Sequence, residues 1–178
     1  ATTKEVADAA GNWLRQGKSI ADTNTLIRDS MILSKVGQLD SAQATQYLTS
    51  ATKGYKVSVQ DTIGVVDKLT AVDLVSATSA GGLAEGMSRV ATSADLAGVS
   101  MDKLLSYLAI IGETTQKDMS EVGQSLQTMF SRMGNIKLGK LTDDETGESL
   151  SDVETAVKNL GINLRSNAGT FRSFSDVL

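Results

Sequence analysis

Apolar residues recur at helical spacing along most of this chain, and most regularly between Gly98 and Gly134. Met119, Val122, Leu126, Met129, Phe130 and Met133 stand at offsets of 0, 3, 7, 10, 11 and 14, which puts them on one stripe of an α-helix. Ahead of them Met101, Leu104, Leu105, Leu108 and Ile111 make a second stripe. Such stripes must be buried against each other or against another surface. The spacing therefore predicts two helices joined by a polar turn. Their candidate packing or interface residues are Leu104, Leu105, Leu108 and Ile111 on the first, and the six named residues on the second.

The rest of the chain follows the same logic. Val6, Ala9, Ala10, Trp13 and Leu14 predict a short helix over 3–16 that ends at Gly17, with Trp13 as a core or interface anchor. Leu26, Ile27, Ile32, Leu33 and Val36 predict a helix over about 21–36. Asp40 with Gln43 forms a capping box before Ala44, Tyr47, Leu48, Ala51 and Tyr55. Ser58 with Asp61 marks a further start, followed by Val59, Ile63, Val66 and Leu69. The small polar run 76–82 is a break, with Gly81 and Gly82 as turn residues. A helix resumes with Leu83, Met87, Val90, Ala91 and Ala94 and ends near Gly98. Ser100 caps the next helix, and Asp118 with Glu121 the one after it. Gly134 to Leu150 is the least regular part, and 136–150 within it reads as a loop. Ser151 with Glu154 opens a last helix through Val153, Ala156, Val157 and Leu160, and Phe171 and Phe174 begin another.

The expectation is an all-α chain, an antiparallel bundle of about seven amphipathic helices with short loops. It comprises N-terminal helices over 1–75, a core pair region over 79–135, a loop over 136–150 and C-terminal helices over 151–178. A repeat is suggested as well. Val57-Ser58-Val59 and Val99-Ser100-Met101 both precede apolar helices at an offset of 42, with Val66 matching Leu108 and Leu69 matching Ile111. That is the size of a helical hairpin unit.

Composition sharpens this picture by what it lacks. The 178 residues contain no His, Cys or Pro. Without Pro, whose presence inside a helix costs roughly 3 kcal/mol, long helices meet no intrinsic breaks. Without Cys there are no disulfides or thiolate metal sites, and without His the commonest acid–base side chain is missing. Aromatics at 4% argue against a large β-sandwich and against base-stacking platforms. A net charge of −4 with no Lys/Arg cluster argues against direct nucleic-acid binding. No apolar run is long enough to span a membrane, and the first residues do not form a secretory signal. The chain does not begin with Met, and we expect it to be a segment of a longer polypeptide.

Candidate chemistry is thin. Glu113, Asp118 and Glu121 could be paired carboxylates, but two of them already have a capping role. Asp143, Asp144, Glu145 and Glu148 lack the alternating ligand spacing and central Gly of a calcium loop. Neither Gly81-Gly82 nor Gly134…Gly139 has the Gly-Lys-Ser/Thr ending of a phosphate cradle. The six Met residues suit adaptable core filling, and Arg132 suits a salt bridge or a helix C-terminus. The reading assigns no catalytic residue, no cofactor and no metal, and expects no enzyme.

Several runs carry a resemblance: AGVSMDKLLSYLAIIGETT (97–115), EVGQSLQTMFSRMGNIKLG (121–139) and LGINLRSNAGTFRS (160–173), with ILSKVGQLDSAQATQYLTSATKGYKVS (32–58) and VVDKLTAVD (65–73) upstream. In this order they resemble the core region of bacteriophage tail tape measure proteins, over roughly 21–178. The resemblance implies a structural, virion-borne helical protein whose length sets tail length and which scaffolds tube assembly. The implied partners are tail-tip or baseplate hub proteins, the tail tube protein and tail-assembly chaperones. The implied arrangement is a homotrimer in the tail lumen or tip, made in the host cytoplasm and leaving the tube before DNA passes. Membrane contact would fall to other regions.

Two other classes compete. A membrane-active segment assisting genome delivery is allowed by the amphipathic stripes and opposed by the acidic balance and the lack of basic polar faces. A bacterial helical adaptor or coiled-coil module predicts sustained heptads, which the chain does not show.

Overall fold

Short polar side chains set where the helices begin. The computed structural model describes residues 2–137 together with 155, 159 and 172. Within it run α1 (Thr3–Arg15), α2 (Ile20–Val36), α3 (Ser41–Gly54), α4 (Thr62–Asp73), α5 (Ala80–Leu96), α6 (Met101–Thr115) and α7 (Met119–Lys137). Among the described residues there is no strand, and the fold is all-α as the periodicity predicts. Thr2 with Glu5 and Asp40 with Gln43 make reciprocal capping boxes on α1 and α3. Ser19, Ser79 and Ser100 accept from the backbone N–H of Asp22, Gly82 and Lys103 to cap α2, α5 and α6. Each such cap contributes about 1 kcal/mol.

Four of the connections are built alike. Gly17, Gln38, Lys56 and Gly98 all take positive φ, at 78°, 52°, 53° and 77°. The next residue's N–H then closes back over five residues: Lys18 to Trp13 O, Leu39 to Ser34 O, Val57 to Thr52 O and Val99 to Ala94 O. This satisfies the carbonyls orphaned at a helix end. At three of the corners the closing residue is apolar and packs on the core. A Ser or Asp follows at once, and at 19, 40 and 100 it caps the next helix.

The offset of 42 seen in the sequence recurs in the backbone, since the bonds Val57→Thr52 (2.8 Å) and Val99→Ala94 (2.9 Å) are equivalent. Ser41, Ala44, Thr45, Leu48, Thr52 and Val66 are buried, and so are Leu83, Gly86, Met87, Val90, Ala94 and Leu108 at the matching positions. The hairpins α3–α4 and α5–α6 thus share a corner of the same build, although α4 begins three residues later than the offset from α6 would place it. Lys56–Asp95 (2.6 Å) and Lys68–Asp102 tie one hairpin to the other across the surface.

The centre of the molecule is α5, which touches α2, α3, α4, α6 and α7. Its inward residues are mostly small: Ala80, Gly81, Ala84, Gly86, Ala91 and Ala94, with Leu83, Met87 and Val90 between them. Three local expectations are corrected. Gly81 and Gly82 lie in the first turn of α5, because Ser79 caps the helix ahead of them. A Cβ on Gly81 would collide with the Gly37 carbonyl, so glycine here sets how closely α5 meets the end of α2. Regular α4 begins at Thr62, because Ser58 and Asp61 bond each other (2.6 Å) and hold residues 58–61 in a tight turn. Gly134 lies inside α7, which runs on to Lys137. The expected loop beyond residue 137 and the C-terminal helices lie outside the described residues.

Candidate functional site

With no reaction centre indicated by the sequence, the candidate site is the packing surface formed by α5, α6 and α7. Ser100 starts α6, and its stripe drops Leu104, Leu105 and Leu108 into the core while Ile111 packs partly buried at the edge. The αL residue Gln116 (φ 55°) ends α6, where its N–H donates to Gly112 O. Asp118 then accepts from Ser120 N–H (2.9 Å) to start α7. Its expected box partner Glu121 instead pairs with Lys117 at 2.6 Å.

On α7 Val122, Leu126 and Phe130 are buried, and Met119 and Met133 are partly buried against the core. Met129 is 45% exposed. It stands at the flank of the stripe, about 50° from its centre at 100° per residue, so it reaches solvent where its neighbours reach the core. The two stripes do not chiefly face each other. The main neighbour of α7 is α5, and α6 meets it far less.

The reason lies at a glycine pair. A Cβ on Gly123 would stand 2.9 Å from Gly86 Cα and closer still to the Gly86 carbonyl oxygen. A Cβ on Gly86 would stand 2.9 Å from Met119 O. Backbone therefore meets backbone at this crossing, and no larger residue fits on either side. Nearby, Gly112 makes room for Met119 Sδ (2.7 Å from a Cβ placed there) and for Thr78 Cγ2. Polar ties hold the rim: Arg89 Nε donates to Ser120 Oγ (3.1 Å), and Ala77 N–H donates to the Glu113 carboxylate. Glu113, Asp118 and Glu121 thus serve separate structural bonds and do not converge.

Ionisable groups elsewhere are perturbed by ordinary causes. Burial holds the Tyr55 phenol well above its usual range, with the charges of Asp95 and Asp102 adding to the effect. Burial, then the charge of Glu85, pushes Tyr47 up. The Thr2 backbone N–H holds Glu5 below the usual carboxylate range.

Sequence reading missed the residues that set this geometry, namely Gly86, Gly112 and Gly123. Their signal was present as glycine inside a helical period, where it costs about 1 kcal/mol and persists when packing requires it. It also missed Asp29, a fully buried carboxylate whose Oδ1 takes Arg28 Nε and Nη2 at 2.9 Å each.

Among the described residues no group of His, Cys, Asp and Glu could hold a metal, and no helix is long and apolar enough to cross a membrane. The arrangement performs packing. A family profile described as phage-related minor tail protein matches residues 1–178. The chain belongs to that family. It is thus a phage tail protein with a structural role, associated with the virion. No solved structure matches this minor tail protein.

Proposed function

We propose that this minor tail protein is a segment of the tail tape measure, setting tail length and scaffolding the tube. Family membership over the whole chain carries the reading, joined to an all-helical fold without Pro. A length gauge needs residue number to convert into distance at a fixed rate. A helix does this at 1.5 Å per residue, so 178 residues would reach about 270 Å. The ordered runs between 32 and 173 that resemble tape measure proteins support the finer assignment.

On this reading the chain catalyses nothing and binds no nucleic acid specifically. It lies in the tail lumen or tip and assembles as a homotrimer with hub proteins, the tube protein and assembly chaperones. The test is genetic. In-frame removal of residues 59–100, one 42-residue offset, should shorten tails by about 60 Å in electron micrographs. Tails of unchanged length on otherwise normal particles would overturn the proposal.

A further inference from the structure

A cleft of about 230 Å³ opens where α1, α2 and the α3–α4 corner meet, away from the α5–α7 crossing. Its apolar wall is formed by Trp13, Leu26 and Val57, and Lys18, Lys53 and Lys56 also line it. Among the described residues no carboxylate lines the cleft, although the chain as a whole carries a net charge of −4. Lys56 is partly neutralised by Asp95, whereas Lys53 is exposed in the last turn of α3. Trp13 is buried, and its indole N–H has no acceptor among the described residues.

We propose that this cleft is a docking site for an acidic peptide segment of a partner protein, which inserts one apolar side chain and sets carboxylates against the lysines. Charge complementarity and size carry the choice. Clefts that enclose small molecules span about 300–1,000 Å³, whereas this one matches a single anchoring side chain. A simple anion would leave the apolar wall unfilled, and an apolar ligand would leave the Lys18 and Lys53 ammonium groups unused. The proposal does not depend on the length-setting role.

Trp13 is the chain's only Trp, so its fluorescence reports on the cleft directly. The probe is a capped synthetic peptide with one leucine between two pairs of glutamates. It should give a saturable change in Trp13 emission that weakens as salt rises. The Lys18→Glu/Lys53→Glu variant should bind it at least about tenfold more weakly. The neutral Lys18→Gln/Lys53→Gln variant should fall between, with circular dichroism confirming that both variants are folded. Replacing the glutamates by lysines, or the leucine by serine, should abolish the change. The proposal is overturned if the acidic peptide gives no saturable change, if the lysine peptide binds equally, or if only anionic phosphatidylglycerol vesicles produce the signal.

Discussion

Gly123 shows how a single hydrogen atom can set the spacing of two helices. Because a Cβ there would meet the backbone of Gly86 at 2.9 Å, no side-chain rearrangement can relieve the clash. Gly123→Ala should therefore cost about 1–3 kcal/mol in urea unfolding, as overpacking does. Gly64 in α4 has nothing within 4 Å of the corresponding point, so Gly64→Ala should be neutral or stabilise by up to about 1 kcal/mol. Equal losses at both sites would mean that helix propensity, not contact, governs these positions. Tyr55 offers a second test at this scale. Its hydroxyl is buried and has no hydrogen-bond partner among the described residues, and burial raises its pKa in the folded state. Below about pH 10 the phenol is neutral in both states, so it adds no pH dependence there. Above that pH the unfolded chain ionises first, and stability falls as pH climbs toward the folded-state value. Tyr55→Phe should leave stability at pH 7 unchanged or slightly higher and make the alkaline decline shallower. A loss of more than about 1 kcal/mol at pH 7 would show that the hydroxyl has a stabilising partner.

Helix α7 is the element on which burial can be tested position by position. Leu126→Asp or Phe130→Asp would place an unpaired charge where the native side chain is buried, at a cost of about 3 kcal/mol or more. Met129→Asp, three residues from Leu126 and one from Phe130, should change stability by no more than about 0.5 kcal/mol. Thermal melts of the three variants separate these outcomes. If Met129→Asp unfolds the chain as the others do, the flank of the stripe is buried in solution. The same helix shows what was legible beforehand. The stripes on α6 and α7, the capping box at Asp40 and the corner at Gly98 could all be read because large apolar residues and capping side chains leave periodic marks. The dominance of α5 could not, because Ala80, Gly81, Ala84 and Gly86 contribute little apolar area and act by letting neighbours approach. Pairing was hidden for the same reason: a stripe shows that a face is buried but not which helix covers it. Asp29 escaped notice because a lone acid in a helical run reads as a solvated residue.

At the scale of the whole molecule, α2 to α7 share one continuous core whose corners are unusual in composition. Two of the four corner turns hold non-glycine residues, Gln38 and Lys56, at positive φ, and such backbone costs about 1–2 kcal/mol per residue. A straight helix through either corner would release that cost, and no Pro blocks it. What opposes straightening is the apolar surface gathered around α5, which an extended chain would expose to water. In isolation the core wins and the helices stay folded back. On the proposed tape measure reading, neighbouring chains or the tube wall would cover the same faces, and the balance would shift toward extended helices. Hydrogen exchange on the free chain tests this. Amides at 38–40 and 56–58 and in the adjoining helix ends should exchange through openings well below the global unfolding free energy, while Leu83, Met87 and Val90 in α5 exchange only by global unfolding. Gln38→Gly and Lys56→Gly remove the positive-φ penalty and should raise protection at those corners. Uniform protection at the global value throughout, unchanged by either glycine, would mean that the corners are rigid and that the compact form is the one the tail uses.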